Sequence, residues 1–440
     1  GAEWRWATQS EVFGSSCYPC WHPFDEWSAG SPKPGQPVSR QKSLSQEVEW
    51  ISLRYDYARS AAGPSRQCWA AEFQGGPIST SLHLGRVPSR EDIRRWVLTA
   101  LASGIQGLSF WNHRVEIFWS EAYGFGLLDA HGDTSLRADE AGRLAKAVNR
   151  YPELFHFSRV PEADVAIFIN EDLWHFAQAT GNAASHLSFT IQGIYKMLWE
   201  AGVWVDFIES SEATPENINR YKAIILPFPL AISDKVFDLL KNYVASGGTL
   251  ISEACPGRYD RFGFTRPGEL IADAEEVFGV EHRIIQLVHE PKQPPRWTPL
   301  ERSYGEIRPT TRFRGTGLFA GHSVLPSLYI EAYSTKGSTP ILLCGDEVAG
   351  VVNKFGRGRA YIVGTFIGHA AAAFEGEATS TFLLTILSSS GVNPELCGRL
   401  RRRRRIGKDH QAWFLFNISP EPVAERVDVN GFSSGEDLLE

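Results

Sequence analysis

At 440 residues the chain exceeds one ordinary domain and predicts two or three. A hydrophobic fraction of 43% with 22% charged residues is that of a globular protein with a large core. The formal charge of −7 leaves no basic excess for a phosphate backbone, which excludes nucleic acid as main partner. No run of about 18 apolar residues is present to span a membrane.

The 14 Trp and 26 Phe suit pockets for sugar rings, and they equally fill large cores. Six Cys do not form a disulfide framework at this length. Cys17 and Cys20 make a C-x-x-C pair, but zinc needs a second pair and the other four are scattered singly, so no metal site is expected. The only Met is Met197, and the opening Gly1–Trp6 has neither a positive region nor an apolar one. A removed leader or a fragment is expected, with a cytoplasmic location.

Residues 1–158 alternate strand and helix three times. Glu11–Pro19 is a short strand-like run, and Ser43–Ala62 is a helix opened by a capping box at Ser43 and Gln46. Gln67–Gln74 is a buried strand closed by Gly75-Gly76-Pro77. The helix Ser89–Gly104 has Ser89 and Asp92 as its box and Ile93, Trp96, Val97, Ala100 and Leu101 on one face. Ile105–Trp111 is the third strand. Arg137–Phe155 is the third helix, with Ala138, Ala141, Leu144, Ala145 and Val148 inward. Three β/α units in this length predict part of a (β/α)8 TIM barrel, which takes about 250 residues, so about five units are expected upstream.

Residues 159–395 predict a second α/β domain, doubly wound and flavodoxin-like. Its strands are Ala163–Asn170, Trp204–Glu209, Tyr221–Phe228, Thr249–Glu253 and Arg359–Gly364, short and apolar as parallel core strands are. Its helices are Ser185–Ala201, Ser233–Ser246 and Thr379–Ser390. Pro256–Pro340 is less regular and is read as insertions. From residue 396 a short all-β segment begins, with Arg399–Arg405 and Gln411–Asn417 as a hairpin. The run of five Arg is read as a solvated strand, and Arg54, Arg94 and Arg95 as solvated helix faces.

The most specific local signal is Trp69-Ala70-Ala71-Glu72-Phe73-Gln74-Gly75-Gly76-Pro77. It sets a carboxylate at the C-terminal mouth of a buried strand, where barrel enzymes keep catalytic groups. The strand alone allows either a catalytic Glu or a structural one paired with an Arg at the rim. In content and order, Glu11–Pro19, this run, Ile105–Trp111 and Glu121–Leu128 with Gly132 and Arg137 resemble the closing barrel strands and post-barrel loop of glycoside hydrolase family 42, the β-galactosidases. The α/β domain resembles that family's trimerisation domain, a glutamine amidotransferase-like fold, and the hairpin resembles the start of its C-terminal β-sandwich domain.

The resemblance implies a retaining glycosidase acting on β-galactosides or related glycosides, with Glu72 as nucleophile. It implies that Phe110 packs on the sugar and Glu121 binds its hydroxyls. Trp111 and Arg114 are further substrate-binding candidates; Trp119 and Trp174 are read as core or as sugar contacts. Two departures, Ala122 where a His often stands and Ile78–Ser81 where a Trp usually lies, touch the sugar subsite. Double displacement needs a second carboxyl about 5–5.5 Å from the first, and no cofactor. Asn170-Glu171 has the right look at a strand end but the wrong place in the order, and is read as a loop. The acid/base is therefore expected upstream, leaving this chain inactive alone, and a homotrimer is implied.

Two other readings compete. In an amidotransferase-like reading Cys255 would be the nucleophile, with His175 or His186 as base, but Ser-Glu-Ala-Cys-Pro-Gly lacks the glycine pattern of an elbow. In a non-catalytic reading the chain is an oligomerisation or sugar-binding remnant.

Overall fold

The structure, a computed structural model, describes residues 3–21, 40–80, 83–84, 86–180, 183–266, 270–287, 311–374, 377–395, 398–419, 421–427, 431–432 and 434–439. Parts of the segment read as insertions, residues 267–269 and 288–310, lie outside them, as do residues 396–397, where the all-β segment is expected to begin. By its internal contacts the chain divides into two compact units: Arg5–Glu162 with Leu396–Glu440, and Gly1–Trp4 with Ala163–Glu395.

In the first unit, strands β1 (Val12–Cys17), β2 (Gln67–Gln74) and β3 (Gly107–Trp111) lie side by side and parallel in the order β1-β2-β3. Helices α1 (Arg40–Ala62) and α2 (Arg90–Ala102) run between successive strands, and α3 (Leu136–Arg150) follows the third. On β2, Cys68, Ala70 and Phe73 are buried, and the Phe73 ring stacks on Tyr55 of α1. Helix α2 starts as the sequence predicts, with the Ser89 hydroxyl accepting from the Asp92 amide and the Asp92 carboxylate accepting from the Ser89 amide. Its face Ile93, Trp96, Val97, Ala100 and Leu101 is buried. The fully buried Trp96 alone is worth on the order of 2–3 kcal/mol of apolar transfer.

Three local expectations fail here. Helix α1 begins at Arg40, so Ser43 falls inside its first turn rather than at a cap. The third helix breaks at Tyr151, because Pro152 cannot continue it, and a short turn Pro152–Phe155 follows. Of its five predicted inward residues only Leu144 is buried, and Glu140 takes the inner position instead. Glu140 is held by Arg90, Arg94 and Arg143 at 3.0, 2.7 and 3.1 Å, and these cations pull its carboxyl down to about 2.

The arginines are also less solvated than their sequence suggests. Arg95 is largely buried between Glu47 and Asp92, both at 2.5 Å. Arg54 donates to the Ser16 carbonyl on β1. The five-Arg run forms strand β15 (Arg401–Ile406), numbered after the strands of the second unit, and pairs antiparallel with β16 (Gln411–Phe416). Its side chains alternate, and Arg403 and Arg405 point inward. Arg403 donates to both oxygens of buried Asp56 at 2.7 and 2.6 Å. Arg405 meets no carboxylate among the described residues; it donates to Ser158 Oγ and to the carbonyls of Ser158, Leu101 and Ile105. The Leu101 carbonyl, in the last turn of α2, also accepts from the Gly104 amide at 3.0 Å, so Arg405 adds a side-chain donor to that helix end. Burial brings its guanidinium down to about 10. The solvated reading is thus wrong for Arg403 and Arg405.

The second unit is built on a mixed nine-stranded sheet. Its parallel strands are β4 (Val165–Ile169), β5 (Val205–Glu209), β6 (Ala223–Leu226), β7 (Thr249–Ser252) and β14 (Gly358–Val363). They run β5-β4-β6-β7-β14, the flavodoxin-like order with the topological switch between β4 and β6. The predicted helices appear as α5 (Ala183–Glu200), α6 (Asp234–Ala245) and α9 (Glu377–Ser389), joined by α4 (Glu171–Ala179), α7 (Ala272–Phe278) and α8 (Ile367–Phe374).

The described part of the supposed insertions is regular. Strands β9 (Phe313–Gly315), β10 (Ser323–Val324), β12 (Thr339–Cys344) and β13 (Glu347–Phe355) extend the sheet antiparallel beyond β14. Strand β8 (Val280–Leu287) pairs with β11 (Tyr329–Thr335) beside it. Helices α5 and α8 cross at two glycines, and a Cβ on Gly193 would lie 1.8 Å from the Gly368 carbonyl. The Asn170-Glu171 pair is not a loop. Asn170 caps α4, its carboxamide oxygen accepting from the Asp172 amide, and Glu171 is the first helical residue.

Candidate active site

Glu72 sits half-buried near the end of β2, two residues before the strand closes. The register sets Ser16 opposite Glu72 and Cys17 opposite Phe73, so Tyr18 follows directly at the mouth of β1. Its phenol donates to Glu72 Oε2 at 2.9 Å. Burial, then the Glu72 carboxylate, push the Tyr18 phenol above its usual range, so it remains a donor. The same phenol feels the charge of Glu121, which brings the two carboxylates to one neighbourhood. The Tyr18 ring meets Phe125 edge-on at 5.5 Å.

Gln74 is fully buried and braces this mouth: Oε1 accepts from the Cys20 amide at 3.0 Å, and Nε2 donates to the Gly76 carbonyl at 2.9 Å. Cys17 is buried, and loss of water pushes its thiol up to about 12. Among the described residues no group of three or more His, Cys, Asp or Glu side chains could hold a metal ion.

Glu121 lies on the loop after β3, where its carbonyl accepts from the Gly124 amide at 2.9 Å. That loop is unusual. Trp119, Tyr123 and Phe125 all have left-handed backbones, at φ 72°, 65° and 62°, which costs of order 1–3 kcal/mol each and collects at functional sites. Ile117, Phe118, Trp119 and Tyr123 are strongly exposed around Glu121.

The other sequence candidates separate. Trp111 is paired with Gln74, on the same face of the sheet as Glu72, and is partly exposed. Phe110 is paired with Phe73, and their rings meet edge-on at 5.8 Å. Phe73 itself stacks on Tyr55, so the Phe110 ring joins that aromatic contact. Arg114 is exposed and donates through Nε and Nη2 to the Ala130 carbonyl. Tyr18 was missed as a site residue although Cys-Tyr-Pro stands at a strand end, because its link to Glu72 spans 54 positions.

A cavity of about 920 Å³ also occurs in this unit, lined by Leu98, Leu144, Phe155, Trp413, Phe416 and Leu439. Glu153, His410, Glu436 and Asp437 also line it, and none of Tyr18, Glu72 or Glu121 does.

Cys255, the nucleophile of the amidotransferase-like reading, is buried and has φ 61°, so the elbow exists without its flanking glycine pattern. Its amide donates to Glu331 Oε2 at 2.7 Å, and Tyr333 donates to the same oxygen. His186 is hydrogen-bonded to His369 at 3.1 Å, and His369 to Ser327 at 2.8 Å. Burial, then His186, drive His369 down to about 3.

This is a mixed α/β protein with a carboxylate pair around a tyrosine at one end of parallel strands. Residues 163–300 match the β-galactosidase trimerisation domain. β-Galactosidase BglY of Alicyclobacillus acidocaldarius is 24% identical over 280 residues, covering 61% of this chain and 37% of BglY. β-Galactosidase LacZ of Heyndrickxia coagulans is 22% identical over 351 residues, covering 77% of this chain and 47% of LacZ. A catalytic mutant of Gan42B, a GH42 β-galactosidase from G. stearothermophilus, superposes with TM-score 0.73 at 20% identity, over 95% of this chain and 55% of that one. The chain is thus similar to GH42 β-galactosidases in sequence and fold, and its residues 163–300 match their trimerisation domain. It spans about half the length, or less, of these relatives.

Proposed function

We propose that this chain is part of a retaining glycosidase acting on β-galactosides or related glycosides, with Glu72 as nucleophile. The observation that carries this reading is the Tyr18 hydroxyl on Glu72 Oε2, with Glu121 in the same neighbourhood. A carboxylate attacking an anomeric carbon must be fixed in place, and a phenol that stays protonated does this. Glu121 then accepts from sugar hydroxyls, and Trp111, on the Glu72 face, offers a ring to the sugar. Arg114, held on the Ala130 carbonyl, reaches substrate only by leaving it.

Residues 1–158 are read as the last three units of a (β/α)8 barrel. In support, β1 and β3 flank β2, and among the described residues each pairs along one edge only. The acid/base carboxyl is placed outside residues 1–440, so that this chain alone does not turn over; no cofactor is needed. Residues 159–395 are the trimerisation domain, the assembly is a homotrimer, and 396–440 opens a β domain. Among the described residues no helix is long and apolar enough to cross a membrane.

The test is labelling of the protein containing the complete barrel with a 2-deoxy-2-fluoro-β-galactoside, followed by peptide mapping. A covalent adduct on Glu72, lost in Glu72→Gln, is expected. Turnover without an adduct on Glu72 would end the assignment.

A further inference from the structure

We propose that Arg137 is a positioning residue, whose guanidinium clamps the strand end that carries Glu72 against the loop that carries Glu121. Its Nε donates to the Gly75 carbonyl at 3.1 Å, and its Nη2 to the Gly126 carbonyl at 3.3 Å. Gly75 directly follows the Glu72 strand, and Gly126 lies in the loop that begins at Glu121. One planar fork thus spans two segments that share no covalent path shorter than the β2–β3 connection.

The segments it joins are already in backbone contact. The Phe125 amide donates to the Pro77 carbonyl at 2.6 Å, the Asn112 amide to Phe125 at 3.1 Å, and the Leu127 amide to Asn112 at 3.0 Å. The Gly75 amide donates to Trp111 at 3.3 Å. At Gly76 a Cβ would lie 2.4 Å from the Gly126 carbonyl, so the two peptides touch and only glycine fits. Ser135, the N-cap of α3, anchors the same loop by donating to the Leu127 carbonyl at 2.6 Å.

The position of Arg137 is itself informative. It stands in the first turn of α3, where the helix dipole disfavours a cation. Half-burial there also lowers its affinity for its proton. A cation kept against both costs is explained by the two carbonyls it holds. A lysine offers a point charge rather than a fork and cannot reach both with fixed geometry.

This inference rests on Glu72 and Glu121 acting as proposed, and its test separates the two. In the protein with the complete barrel, Arg137→Ala is expected to lower kcat for an aryl β-galactoside about 10–100-fold, as misplacement by about 1 Å does, with KM changed far less. Arg137→Lys should recover part of the loss. Hydrogen exchange should quicken together in residues 72–77 and 112–128 of the alanine variant, and stay unchanged in residues 163–395. Wild-type kcat, or exchange that quickens everywhere or nowhere, would overturn the clamp. If the wild-type protein showed no turnover, the glycosidase reading and the positioning role would fall together. If it turned over without an adduct on Glu72, only the nucleophile assignment would fall, and the exchange and kcat of the variants would still decide the clamp.

Discussion

Glu253→Gln tests how the second unit accommodates a buried acid. Glu253 is fully buried at the end of β7; Oε1 accepts from the Gly368 amide at 2.7 Å and Oε2 from the Phe228 amide at 2.8 Å. It ties β6, β7 and the first turn of α8 together. Burial raises its carboxyl from 4.5 to about 8, against amides of Gly368, Phe228 and Ile367 that favour the charged form. The folded state then holds a proton that the unfolded chain releases between about pH 4.5 and 8. Stability from this group is complete below 4.5 and falls as pH rises, by at most about 5 kcal/mol at 8. Glutamine is neutral throughout, but its amide NH2 faces one backbone donor, which costs about 1–3 kcal/mol. The variant should therefore melt below wild type at pH 5, and the gap should close or reverse by pH 9. His369 titrates the opposite way, its neutral form being favoured, but it is common to both proteins and cancels in the difference. Differential scanning fluorimetry at half-unit steps reads this directly. A melting gap that does not change between pH 5 and 9 would refute a raised carboxyl, and would mean that the amide donors prevail over burial.

The buried Arg403–Asp56 pair predicts a double-mutant result. Asp56→Ala strands a buried guanidinium and should cost about 3–5 kcal/mol, whereas Asp56→Leu with Arg403→Met should recover most of it, measured by thermal denaturation; additive losses would contradict the pairing. On the second unit, Phe262 and Phe264 are 74% and 73% exposed on a turn whose two amides are pinned by the Asp260 carboxylate. A rigid apolar pair suits self-association, so Phe262→Ser with Phe264→Ser should lower the mass seen by light scattering while leaving the circular dichroism unchanged. An unchanged mass would remove this surface from the assembly.

What the sequence shows and hides follows the range of the interactions. The capping box at Ser89 and Asp92 involves residues three apart, and the structure forms it as read. Gln67–Gln74 is bounded by turn chemistry on both sides, and its limits match. The Arg-rich strand has a legible period of two, yet which Arg are inside depends on Asp56, Leu101 and Ile105, roughly 300 or more positions away. No local rule supplies those partners, and a run of like charges argues for water. The antiparallel extension from Phe313 to Phe355 was hidden for a related reason. Its strands are short and partly polar, and only their pairing onto β14 makes them a sheet.

The site divides along the same line. Glu72 was visible because a carboxylate between a buried strand and Gly-Gly-Pro is locally odd. The pairing of Phe110 with Phe73 and of Trp111 with Gln74 was not, because register is set between strands. The same register brings Tyr18 to Glu72 and leaves Arg137 to join their loops. Of the groups nearest the carboxylate, the sequence exposed the one with an unusual neighbourhood and concealed those whose only distinction is where the backbone carries them. Glu72, the proposed nucleophile, is a common residue in a particular place: the Tyr18 phenol bonds it directly, the buried Gln74 carboxamide braces its strand end, and the Arg137 guanidinium reaches the carbonyl just beyond.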